Sequence, residues 1–344
     1  MRRKEIVCMS LIFALLFTGS MNRCALSEEL PGVPRKADRG GVYEGIARVD
    51  WKTTVRAVIA HPAFAGFGRF LFPVENGTPD EGMRVGNIDS LLPYHSHIDA
   101  DTTVNVLNYM LDEVRAGRRI FYDIYTPEEK TAVSEKENAG LFFFRGDPGA
   151  PFAVVCAGGG FSYVGSIHES FPHALELSKK GYNAFALQYR TGGARVACED
   201  LAAAISFIFE HARELGVKTE CYSLWGGSAG ARMAVYLGSY GPAAFGGAEL
   251  PRPGAVIMQY TGHSDYTRND PPTFAVVGED DGIANWRTME RRTDALKKLG
   301  IEAVFHKYPG LGHGFGLGVG TSAEGWIGDA VSFWERRGAI EIAN

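Results

Sequence analysis

The stretch that most constrains this chain runs from Tyr222 to Met233. An apolar run leads into Gly226-Gly227-Ser228-Ala229-Gly230, and a helix-forming run (Ala231 to Leu237) follows at once. The pattern predicts a strand, a sharp turn and a helix. Gly226 and Gly230 lack the side chains that would collide with the neighbouring strand and helix, so the turn can lift the Ser228 hydroxyl above a sheet. The helix N-terminus beneath it favours negative charge there. Glycine-rich turns also arise as ordinary strand-to-helix links. The rest of the chain must therefore supply a base, an acid and a site for an oxyanion.

The surroundings of this turn alternate strand and helix patterns from Pro151 onward. Phe152 to Cys156, Asn183 to Tyr189, Glu220 to Trp225, Gly254 to Gln259, Thr273 to Val277 and Ala303 to Tyr308 read as strands. They are nearly continuous apolar runs, as parallel strands covered on both faces must be. Ser170 to Gly181, Cys198 to Leu215, Arg287 to Leu299 and Glu324 to Arg337 read as helices between or after them. Arg119 to Tyr125 and Ala139 to Arg145 predict an antiparallel pair ahead of the parallel sheet, with the charged link from Glu128 to Asn138 in solvent. The expected fold class is therefore α/β, with a mostly parallel, doubly wound sheet over residues 117–340.

The first 116 residues divide differently. Residues 1–27 have the basic start Met1-Arg2-Arg3-Lys4, an apolar run from Ile6 to Phe17 and small residues near Ala25 and Ser27, the pattern of an export signal. Lipidation at Cys24 is a lesser alternative, because Arg23 precedes it where a small residue is usual. The mature chain is expected in the periplasm or outside the cell, with no membrane span. Residues 28–41 read as a flexible lead-in. Residues 42–116 read as an extension packed on the main domain, with helical patterns from Val49 to Ile59 and from Thr102 to Ala116. Within it His95 and His97 stand at an alternating spacing that could ligate a metal, but no acidic or Cys partner clusters with them. Cys156 and Cys221 lie in apolar runs and read as small core residues. A net charge of −5, with no basic run beyond residues 2–4, speaks against a nucleic-acid partner.

A serine hydroxyl needs a base to take its proton, and the base needs an acid to hold its tautomer. After Ser228 the strand ending at Val277 runs into Gly278-Glu279-Asp280-Asp281, and the strand ending at Tyr308 runs into Gly310-Leu311-Gly312-His313-Gly314-Phe315. Both turns lie at C-terminal strand ends, where α/β sheets place their sites. His313 is the candidate base, since His306 lies inside a strand pattern. Asp281 is the preferred acid and Asp280 the alternative. The candidate oxyanion donors are the backbone N–H groups of Ala229, Gly159 and Gly160, and losing one such donor typically costs about 3–4 kcal/mol. The Gly158-Gly159-Gly160 turn lacks the Lys-Ser/Thr of a phosphate-binding loop. No metal or organic cofactor is called for.

From about Gly140 to Trp334 the sequence resembles the α/β-hydrolase superfamily, on Cys156-Ala157-Gly158-Gly159-Gly160-Phe161, Gly226-Gly227-Ser228-Ala229-Gly230, Gly278-Glu279-Asp280-Asp281 and Gly312-His313-Gly314-Phe315. It is most similar to the branch of small bacterial carboxylesterases and acetyl-xylan esterases. The hormone-sensitive-lipase branch opens its glycine turn with His, where this chain has Ala157. The resemblance implies a Ser228-His313-Asp281 triad and a hole formed by Gly159, Gly160 and Ala229. The expected activity is hydrolysis of short acyl esters, acetyl above all, on a carbohydrate or other small-molecule alcohol. Phe161, Tyr163, Tyr260, Trp286 and Trp326 are aromatic candidates for stacking on a sugar, and His263 is a candidate for the acyl or leaving-group pocket. A prolyl-oligopeptidase-like peptidase and a non-catalytic binding protein of the same fold are the alternatives.

Overall fold

Apolar runs that need cover on both faces are satisfied by a sheet sandwiched between helices. The computed structural model describes residues 48–73 and 82–343, and in it those runs form one eight-stranded sheet. The strands are β1 (Phe121–Tyr122), β2 (Gly140–Phe144), β3 (Pro151–Cys156), β4 (Asn183–Gln188), β5 (Lys218–Gly227), β6 (Ala255–Gln259), β7 (Thr273–Gly278) and β8 (Ala303–Tyr308). Their spatial order is β1-β2-β4-β3-β5-β6-β7-β8. The β1–β2 and β2–β4 pairs are antiparallel and every other pair is parallel. The chain moves outward from β3 to β4, then returns to place β5 on the other side of β3. The C-terminal ends of β3 and β5 therefore flank a topological switch point, where open α/β sheets form their crevice.

Helix α4 (Ser170–Lys179) packs on β2, β3 and β4, and α9 (Trp326–Ala343) on β5, β6 and β7; the two helices touch. Helix α7 (Ala229–Tyr240) covers β3, β5 and β6, with α5 (Ala194–Glu210) beside it. The predicted 198–215 helix starts earlier and is interrupted at His211, whose backbone leaves helical geometry; α6 (Ala212–Leu215) then ends at Gly216 in the left-handed region. Helix α8 (Trp286–Lys298) lies against β7 and β8.

The predicted strand from 119 to 125 shrinks to two residues. Pro127 opens helix α3 (Pro127–Ala132), with a capping box between Thr126 and Glu129, and this carries the chain off the sheet edge. Similarly, the 49–59 helix begins only at Val55 as α1 (Val55–Ile59). Asp50 first ties the N–H groups of Lys52 and Thr53 into a turn, and Thr54 caps the helix. Cys221, expected in the core, is half-buried.

The region before β1 docks on the antiparallel edge through aromatic rings. Phe67 stacks on Phe121 and meets Phe142 edge-on, and Phe70 stacks on Phe121. Helix α2 (Ala100–Arg115), capped by Asp99, packs on α4. The leader (1–27), Cys24 and the lead-in (28–41) lie outside the described residues. Among the described residues no helix is long and apolar enough to cross a membrane.

Candidate active site

Strand β5 ends at Gly227, and α7 begins at Ala229. Ser228, between them, has φ 50° and ψ −113°, a backbone conformation that L-residues rarely adopt. Its N–H donates to Gln259 O at 3.0 Å. The flanking glycines are required sterically. A Cβ on Gly226 would lie 2.3 Å from the Gly230 carbonyl carbon, and one on Gly230 would lie 2.0 Å from Cys156 O.

His313 lies on the loop after β8. Its Nε2 is 3.0 Å from Ser228 Oγ and its Nδ1 is 2.7 Å from Asp281 Oδ2. The other Asp281 oxygen accepts the N–H groups of Ile283 and Ala284 at 2.8 and 2.6 Å. An ionised carboxylate can only accept, so Nδ1 carries the proton and Nε2 faces the hydroxyl as a proton acceptor. Of the three acids in that turn, Glu279 pairs with Lys307 and Asp280 is exposed, whereas the Asp281 side chain is wholly buried.

The glycine turn after β3 adopts the left-handed region at Gly159 (φ 131°) and Gly160 (φ 62°). A Cβ on Gly159 would lie 2.2 Å from Tyr163 O. Gly158 N–H is already used: it donates to the Glu169 carboxylate. Among the described residues no hydrogen bond takes up the N–H of Gly159, Gly160 or Ala229. Ala229 stands at the first position of α7, where a helix leaves its N–H groups unsatisfied. Three donors are thus open beside the hydroxyl-bearing turn.

The family model BD-FAE matches residues 145–248, a span that includes the glycine turn, β5 and Ser228. An α/β-hydrolase enzyme from a Medee basin deep-sea metagenome library superposes with a TM-score of 0.51 at 22% identity, over 58% of this chain and 92% of that one. The acetyl ester-xyloside bifunctional hydrolase of Caldicellulosiruptor lactoaceticus gives 0.55 at 21% identity, over 63% and 96%. A sugar hydrolase of Lactococcus lactis gives 0.50 at 23% identity, over 58% and 94%. The chain has the α/β-hydrolase fold. A curated relative, a non-reducing polyketide synthase of Stachybotrys bisbyi, is 33% identical over 84 residues, which are 23% of this chain and only 4% of the synthase.

The other candidate residues fall in different places. Tyr260 is fully buried, its ring 4.9 Å from that of His313 and its hydroxyl on Glu169. Tyr163 is buried against Tyr94 and His95, and Trp326 is buried near His173 and Trp225. None of these three presents a face for a substrate ring. Phe161, at φ 61°, is half-buried and meets Tyr189 edge-on. Trp286 opens α8, with the Lys307 and Arg287 cations over its ring. His263 is buried against Tyr236; burial, reinforced by Arg292 and Arg232, pushes its pKa down to about 4.

The two candidate ligands differ in environment: the His95 side chain is buried and His97 is exposed. His95 is inside, its Nδ1 2.9 Å from Tyr163 OH and its Nε2 2.9 Å from Glu169 Oε1, a close approach not aligned as a hydrogen bond. Among the described residues no cluster of three His, Cys, Asp or Glu side chains is placed to hold a metal ion. Glu169 escaped the sequence reading, because an acid in the turn before an apolar helix looks like a solvated cap; it is 1% exposed. Burial pushes its carboxyl up, but His95, the Gly158 N–H and His168 outweigh that, and its pKa lies at about 2.

Proposed function

We propose that this α/β-hydrolase is an exported serine esterase that removes short acyl groups, acetyl above all, from oxygen esters of carbohydrates. The observation that carries the reading is the continuous hydrogen-bonded line from Asp281 through His313 to Ser228, beside three open N–H groups. In the proposed reaction Ser228 Oγ attacks the ester carbonyl while His313 Nε2 takes its proton. The tetrahedral oxyanion lies against the N–H groups of Gly159, Gly160 and Ala229. His313 returns the proton to the departing alcohol, leaving Ser228 acylated. Water, deprotonated by the same imidazole, then releases the acid.

The carbohydrate alcohol is supported by two structural neighbours that act on sugar derivatives by their names. Export rests on the basic and apolar leader. The purified protein is expected to cleave p-nitrophenyl acetate and to release acetate from acetylated oligosaccharides. Ser228→Ala is expected to abolish both, and activity that survives it would remove Ser228 as the nucleophile.

A further inference from the structure

The reaction outlined above leaves a buried ionised carboxylate unexplained. Glu169 lies directly beneath the turn that carries Ser228: a Cβ on Gly227 would come 2.6 Å from Glu169 Oε2. Both carboxylate oxygens are accepting. Oε2 takes the Gly158 N–H, at the root of the glycine turn. Oε1 takes the Tyr260 hydroxyl at 2.8 Å, with His95 Nε2 2.9 Å away. Burial raises the Tyr260 pKa far above its ordinary value, so that hydroxyl stays protonated and donates. One carboxylate therefore anchors both the turn that presents the oxyanion donors and the ring against which His313 packs.

His95 reaches this place from the region before the sheet, and its neighbours engage the same loops. Tyr94 N–H donates to Tyr163 OH at 3.2 Å, and the two tyrosine rings stack. Ser96 N–H donates to Gly314 O at 3.0 Å, and the Ser96 hydroxyl donates to His313 O at 2.5 Å. His168 Nε2 also binds Gly314 O, at 2.9 Å. The fit leaves no slack: a Cβ on Gly314 would lie 2.5 Å from Tyr94 O, and one on Gly165 would lie 2.7 Å from His95 Cε1.

We infer that Glu169 and His95 are a buried positioning pair that sets the glycine turn and the His313 loop, so that residues 94–96 belong to the catalytic apparatus. The inference rests on the esterase reading above. Only a carboxylate can accept from Gly158 and Tyr260 at once; an amide has one acceptor and must turn a donor toward one of them. Removing His95 takes away the imidazole that lies 2.9 Å from the buried carboxylate, under the point where an oxyanion forms.

The test is p-nitrophenyl acetate kinetics on Glu169→Gln, His95→Gln and Ser96→Ala, each with a thermal melt and the rate of labelling by a fluorophosphonate. Glu169→Gln in folded protein is expected to lower kcat by ~10²-fold, the scale of a misaligned oxyanion donor, with KM unchanged. His95→Gln and Ser96→Ala are expected to lower kcat less, again at constant KM. Folded variants that keep the wild-type kcat overturn the pair, as do variants in which kcat falls only in step with the melting temperature. Should Glu169→Gln not fold, the other two variants decide by the same criteria. A wild-type protein that neither hydrolyses the ester nor labels overturns the esterase reading itself. A wild type that does both, beside a fully active Glu169→Gln, overturns the pair alone.

Discussion

Single side chains divide into those whose role follows from local sequence and those whose role follows from packing. Asp281 and Asp280 are adjacent and chemically identical, so sequence alone left both open. In the structure one faces His313 and the other faces solvent. Asp281→Asn is expected to turn an amide N–H toward Nδ1 or force the wrong tautomer, lowering kcat/KM by ~10⁴-fold, whereas Asp280→Asn is expected to stay near wild type. Steady-state ester hydrolysis by the two variants measures this, and equal losses would unseat the assignment. Ser228 and His313 were legible because glycines mark strand-end turns whatever the tertiary context. Glu169 was not, since nothing in Ser166-Ile167-His168-Glu169 separates a buried acid from a helix cap. Tyr260 was legible as a strand-end aromatic but not as a buried one.

Among the elements, the interior strands were the most legible. β3, β4, β6 and β7 differ from their expected limits by one residue at an end, because a doubly covered strand must be apolar throughout. Edges were less so: β1 is cut short by capping chemistry rather than by loss of apolar character. Helix α8 carries a further device that no periodicity reveals. Arg292, on its buried face, pairs with Asp270, and its Nε donates to Asp265 O at 2.9 Å, so the helix is bolted to the loop between β6 and β7. Both side chains are essentially unexposed. Asp270→Asn leaves a buried guanidinium without its counter-charge and is expected to cost about 3–5 kcal/mol. Urea unfolding reads that cost as a lower midpoint at constant slope, and a loss below about 1 kcal/mol would show that the pair contributes no more than a surface bridge.

For the molecule as a whole, strand order and the seating of residues 48–116 were beyond sequence reasoning, because both depend on contacts between segments far apart in the chain. The side chains of His168, His173 and His263 are buried in the interior. Burial holds the His168 pKa down to about 4, helped by His95, and burial holds His263 to about the same value. His173 is shifted in the same direction by burial. An imidazole in the unfolded chain takes up its proton below about pH 6.5, while His168 and His263 stay neutral in the folded protein until about pH 4. Between those values the unfolded state binds more protons, so stability rises with pH and is lost on acidification through that window. Glu169 extends the loss. Its folded pKa of about 2 lies below the ordinary carboxylate value, so its contribution is present above about pH 4.5 and disappears below it. Thermal melts from pH 7 to pH 4 are expected to show a falling midpoint, and His263→Asn is expected to flatten that fall by removing one of the titrating groups. A midpoint that holds steady or climbs as acid is added would mean that the buried imidazoles are charged in the folded protein, and the neutral interior described here would have to be abandoned.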